Sequence, residues 1–207
     1  MIASSRHAML RSQRALLAIV ALGFGPIAAA HVGQGDVTGG LLAGFLHPIR
    51  GVDHLVAMVA VGIWGAQLGR PAIWLLPITF PLVMAFGGVL GIAGLPLPGV
   101  EIGVAVSAIV LGAMIAFAVR PPIALAAIIV AIFAIFHGYA HGAELPKSAN
   151  AVSYSFGFVA ATGMLHAIGI LIGTIRRFQR GDALLRIVGA LIAIVGIWVL
   201  LPLVSGS

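Results

Sequence analysis

Two short stretches carry most of the ligand chemistry in this chain. The first is His47-Pro48-Ile49-Arg50-Gly51-Val52-Asp53-His54, which places two imidazoles, a carboxylate and a guanidinium within eight residues. The second is His137-Gly138-Tyr139-Ala140-His141-Gly142-Ala143-Glu144. On a helix, His137, His141 and Glu144 fall on one stripe over two turns. An i,i+4 histidine pair can chelate one ion, and a carboxylate on the same stripe completes a donor set suited to a divalent cation. The plainer alternative is a polar, frayed helix end, because Gly138 and Gly142 weaken a helix there. The first stretch is embedded in apolar sequence, Leu41 to Leu46 before it and Leu55 to Gly65 after it. A charge in such a run costs roughly 2.5–3.5 kcal/mol at mid-bilayer. It persists when it pairs, faces water or holds an ion.

The composition says what must position these groups. The chain has 207 residues, 61% of them hydrophobic and 8% charged, with a mean hydropathy of +1.19. A soluble domain carries about 25% charge. The expected class is therefore all-α, a polytopic membrane protein whose partner is the lipid bilayer. There is no cysteine, which excludes disulfides and thiolate metal sites. The net charge of +6 is not a nucleic-acid footprint, because the arginines lie in short loops, where they set topology. The single lysine, Lys147, is not part of a phosphate-binding loop.

Residues 1–30 read as a secretory signal: Arg6, Arg11 and Arg14, then a short apolar stretch, then Ala28-Ala29-Ala30. The alternative is an uncleaved anchor helix. Cleavage would leave His31 as the mature N-terminus, with an amine and a ring able to chelate one ion. Otherwise His31 is an ordinary residue of a Gly-rich linker. In residues 31–207, six apolar segments follow, each near the ~20 residues that span a bilayer. They run from about Gly39 to Gly69, Pro71 to Gly94, Gly99 to Val119, Pro121 to Gly142, Val152 to Ile175 and Ala183 to Val204. The first is overlong, so a break at Pro48–Gly51 is expected, since proline removes a donor and glycine tolerates a bend. Pro77 and Pro81 should kink the second. With an external mature N-terminus, the inner loops hold Arg70, Arg120, Arg176, Arg177 and Arg180, and the outer loops only Lys147. That is the positive-inside pattern, and it puts both mature termini outside. Leu46-His47 and Phe136-His137 are only loosely alike and do not make an internal repeat.

Depth adds a further argument. His47, Asp53 and His54, then Glu101 at the start of the third segment, then His137, His141 and Glu144 all fall toward the outer side. Carboxylates and imidazoles gathered there suit capture of an external divalent cation. His47 and His54 are about 10.5 Å apart along an unbroken helix, too far to share one ion. Either the break folds them together or each serves a different step. His166 sits near the middle of the fifth segment, as a transit site for the ion or as a histidine bonded to a neighbouring helix. Asp182 is read as a loop salt bridge with Arg180 and Arg186.

The motif His47-Pro48-x-x-Gly51-x-Asp53-His54, continuing into Met58 and Val61-Gly62, resembles the signature of the HupE/UreJ proteins. Phe136-His137-Gly138-x-Ala140-His141-Gly142-x-Glu144 is similar to their second signature, and the resemblance covers essentially the whole of residues 31–207. It implies a six-helix permease of the bacterial inner membrane that supplies nickel or cobalt to a hydrogenase or urease maturation system. Ni2+ or Co2+ would be the transported substrate, with no permanently bound cofactor and no catalysis. The functional positions it implies are His47, Asp53, Phe80, Glu101, His141 and Glu144, with His54 and His137 in the same motifs. Phe80 cannot ligate an ion, so it would pack or gate. Arg50, at a variable position, is expected to serve as a charge partner for Asp53. Two other classes stay open on the residues alone: a membrane-embedded metal-binding accessory subunit, and an intramembrane metal-dependent hydrolase.

Overall fold

The computed structural model describes residues 37–145 and 150–205, and within helices the side chains from residue 40 onward. The apolar segments form helices where their patterning places them. Among the described residues these are α1 (Val37–Arg50), α2 (Val52–Leu68), α3 (Ala72–Ile92), α4 (Val100–Ala116), α5 (Ile123–Ala143), α6 (Ala151–Gly173) and α7 (Gly181–Ser205). A short 3-10 turn, Thr174–Arg177, follows α6. No strand occurs among the described residues. Four helices, α3, α5, α6 with its 3-10 extension, and α7, are long and apolar enough to cross a membrane alone. The bent pair α1–α2 makes a fifth if counted as one span, and α4 is a shorter apolar helix of 17 residues.

The first segment is broken as its sequence suggests. Pro48 lies inside the last turn of α1, where it cannot donate to the Gly44 carbonyl. Gly51 then takes an extended conformation, and the chain turns by 82° into α2. Asp53 sits in the first turn of α2, where a negative charge complements the exposed N–H groups of the helix start.

α2 is the axis of the bundle. An unbroken run from Ala60 to Gln67 is buried, and Met58, Val61, Ile63 and Trp64 are completely enclosed. A helix apolar on every side belongs in such an interior. It packs against α3, α4 and α6; α3 pairs with α5, α4 with α7, and α1 with α6. The outer faces of the other helices carry Trp74, Leu82, Phe86, Phe156, Leu171 and Trp198, all strongly exposed. Around a membrane-spanning bundle that surface meets lipid.

Backbones approach closely at the seams. A side chain on Gly142 would run into the Gly88 carbonyl of α3, and one on Gly138 into the Met84 carbonyl. The two glycines expected to fray the end of α5 instead let α5 lie against α3, as small residues do between membrane helices, and α5 continues through Ala143. On α2, Gly62 meets the backbone of His166 and Gly169, while Ala66 meets Gly173 further along. Both sequences ascend together, so α2 and α6 run parallel. The starts of α2 and α6 and the end of α5 therefore share one end of the bundle.

Apart from Arg50, the arginines of the described residues gather at the other end. Arg176 donates to the carbonyls of Ala66 and Gln67, the latter at 2.5 Å, closing the final turn of α2. Trp64 Nε1 donates to the Val119 carbonyl at 3.1 Å. Arg120, Arg176 and Arg186 line a small cavity of about 90 Å³ with Gln67 and Asp182. Asp182 makes no salt bridge with Arg180 or Arg186, contrary to the loop ion pair read from sequence. It sits in the first turn of α7, where the helix start already supplies positive potential.

Candidate metal centre

The break at Gly51 and the placement of the end of α5 beside the start of α2 bring both sequence motifs to one place. The His47 and His141 rings stand 4.7 Å apart between centroids, and His54 and His141 4.5 Å apart. His54 and His137 are again 4.7 Å apart. Four imidazoles thus form a ladder in the order His47, His141, His54, His137. The seven-residue spacing that would separate His47 from His54 on a straight helix is cancelled by the bend, and both flank His141.

At the outer rung, His47 Nε2 lies 3.2 Å from Glu144 Oε2. His47, His141 and Glu144 each offer a ligand atom, and these atoms all lie within 4.8 Å of one another. An ion drawing them inward by side-chain rotation would have two nitrogens and an oxygen. Their exposure is graded: Glu144 is 61% exposed at its side chain, His47 30%, and His141 is buried. His47 and Glu144 border a cavity of about 510 Å³, lined also by Asp53, His54 and Glu101. Glu101 is exposed and faces this cavity without joining the close group of three.

Hydrogen bonds fix which nitrogen each inner histidine presents. His54 Nδ1 lies 3.0 Å from Asp53 Oδ1, and the same oxygen accepts the His54 backbone N–H at 2.8 Å. An ionised carboxylate only accepts, so Nδ1 carries the proton. Nε2 keeps its lone pair, is buried and has no hydrogen-bond partner. At His137, Ser107 Oγ spends its one proton on the Val104 carbonyl at 2.6 Å. It therefore accepts from His137 Nε2, 2.8 Å away, which leaves Nδ1 unprotonated, buried and unpartnered. Both arrangements are those of a metal-ligating histidine, whose second nitrogen is held by an acceptor behind it. Neither nitrogen of His141 has a hydrogen-bond partner among the described residues.

Asp53 reaches the ladder through His54. No ion pair joins it to Arg50, which is exposed. The expected Arg50 partnership fails because the extended backbone at Gly51 separates the two residues onto different helices. His31 and the whole of residues 1–30 lie outside the described residues. Beneath the ladder, Phe80 is fully buried, its ring 5.4 Å from His137 on one side and 5.5 Å from His166 on the other.

A family model described as HupE / UreJ protein matches residues 17–199, a span containing both motifs and every helix that builds the ladder. The chain belongs to the HupE / UreJ family. Protein HupE of Rhizobium leguminosarum bv. viciae is 47% identical over 179 residues, covering 86% of this chain and 92% of that relative. No solved structure matches the chain.

In this HupE / UreJ chain, three residues at the ladder escaped the sequence reading. Ser107 sets the His137 tautomer, yet it is one hydroxyl in an apolar helix with no motif around it. Phe158 holds its ring 4.1 Å from that of His141, and Tyr154 holds its ring 5.9 Å from that of His47, its hydroxyl buried and unpartnered. Their one sequence signal is helical spacing, since Tyr154 and Phe158 are i,i+4 neighbours at the start of α6.

Proposed function

We propose that this protein carries nickel or cobalt ions inward across the bacterial inner membrane, supplying a metalloenzyme such as hydrogenase or urease. The observation that carries the reading is the group His47, His141 and Glu144, with ligand atoms within 4.8 Å at the mouth of the bundle. Three carboxylates, Asp53, Glu101 and Glu144, line the cavity above the ladder and would raise the local concentration of a dication. The ion would shed water onto the outer group and pass to the lone pairs that His54 and His137 present. Imidazole and carboxylate together favour first-row transition ions over magnesium.

On this reading the chain makes six crossings, with α1–α2 as one broken span and α4 as a short one. The arginine end faces the cytoplasm by the positive-inside rule. Residues 1–30 would be removed on export and both mature termini would lie outside. Purified protein in liposomes, given radioactive nickel with cobalt, zinc or magnesium as competitor, tests the function. Uptake by the protein alone, competed by cobalt and not by magnesium, is the expected result. Saturable binding without uptake would instead make it an accessory metal-binding subunit.

A further inference from the structure

Beyond the ladder lies a second polar group that the outer capture site does not use. His166 on α6 is 2% exposed, and among the described residues neither ring nitrogen makes a hydrogen bond of full geometry. One turn earlier on the same helix face, Thr162 is fully buried with its hydroxyl unpartnered as well. The third member comes from α3. Pro77 and Pro81 are four apart within that helix. Pro81 has no N–H, so the Pro77 carbonyl lacks the donor an α-helix would give it. That carbonyl lies beside the His166 ring as a loose acceptor, short of a full hydrogen bond. Unpaired polar groups so deep in a membrane bundle are expensive, and they are tolerated where they line a path.

We infer that His166, Thr162 and the Pro77 carbonyl form a second, weaker station for a divalent transition-metal ion, separated from the histidine ladder by the Phe80 ring. The inference rests on the transport reading and adds a second stop to it. The backbone of His166 packs on Gly62, eight residues beyond His54 on α2, or about 12 Å deeper at ~1.5 Å per residue. Six further residues, about 9 Å, lead to Leu68 at the arginine end. The station therefore stands roughly midway.

Its chemistry differs from the ladder in one respect that matters for transit. One imidazole, a hydroxyl and a carbonyl are all neutral donors. Asp53, Glu101 and Glu144 face the outer cavity, and Asp182 lies at the arginine end. A dication held without a counter-charge is held loosely, and a conducting site must release what it binds. Phe80, in ring contact with both His137 and His166, is the partition an ion must pass between the two.

The test compares full-length wild type with His166→Ala, His166→Gln and Thr162→Val in proteoliposomes, using radioactive nickel. Equilibrium nickel binding to the same purified proteins is measured in parallel. Gln keeps bulk and polarity at 166 but removes the imidazole, and Val at 162 keeps the shape of threonine. The expected result is nickel binding within about twofold of wild type, with initial uptake lowered about tenfold or more by both His166 variants and several-fold by Thr162→Val. Wild-type uptake by His166→Gln would overturn the station. So would a parallel loss of binding and uptake in all three variants, because His166 would then be supporting the ladder's structure. Absence of uptake by the wild type overturns the transport reading itself, and the station falls with it.

Discussion

Ser107→Ala removes one oxygen, and its consequence can be worked from the hydrogen bonds around it. The hydroxyl donates to Val104 within its own helix and accepts from His137 Nε2. Losing the first bond matters little, since Val104 is a local i−3 carbonyl already served by the helix. Losing the second strands a buried N–H, because His137 is completely enclosed. An unsatisfied buried donor costs about 1–3 kcal/mol. The ring escapes part of that cost by moving its proton to Nδ1, the nitrogen that the wild type keeps free. A ligand orbital is then occupied by hydrogen. Metal sites that lose such a supporting acceptor typically weaken about 10–100-fold. We expect Ser107→Ala to insert and fold, and to bind nickel about 10–100-fold more weakly by equilibrium titration, with slower uptake in proteoliposomes. Nitrogen-15 NMR of labelled histidine should show the His137 proton shifting from Nε2 toward Nδ1. Wild-type affinity in a folded Ser107→Ala protein would refute the claim that this bond prepares His137 as a ligand.

Three further outcomes follow from the same geometry. Asp53→Ala and Glu144→Ala should each nearly abolish nickel uptake while leaving membrane insertion intact, because each removes a charge offsetting the dication; uptake at the wild-type rate by either would remove that group from the path. Gly142→Val places a branched side chain against the Gly88 carbonyl and should lower thermal stability in detergent by about 1–3 kcal/mol, an overpacking cost; an unchanged melting temperature would mean that α3 and α5 are not held at backbone contact. Nickel binding should weaken as pH falls through the range in which imidazole titrates, because protons compete for the same lone pairs. Binding that strengthens on acidification would rule out neutral histidines as the ligands.

Much of this arrangement is legible in the sequence because a membrane helix leaves few places for a polar residue to hide. Histidines and carboxylates inside apolar runs announce a site, and Pro48 followed by Gly51 announces the break that serves it. Local rules fail where the partner comes from another helix. Gly138 and Gly142 look like weak points until α3 is laid against them. Arg50 and Asp53 look like neighbours until Gly51 turns the chain between them. Ser107 has meaning only through His137, thirty residues away. Tyr154 and Phe158 likewise acquire a role only when α6 is brought beside His47 and His141.

The glycine seams have a mechanical consequence. Where Gly62 meets the backbone of α6, and Gly138 and Gly142 that of α3, no side chains interdigitate that could re-pack by degrees. Such contacts resist compression, and bringing the helices closer is sterically blocked. The compliance of this bundle is therefore concentrated in its rings. A planar side chain such as Phe80 can turn through an angle while every helix axis stays still, so on the transport reading an ion would pass as through a turnstile more than a rocking door.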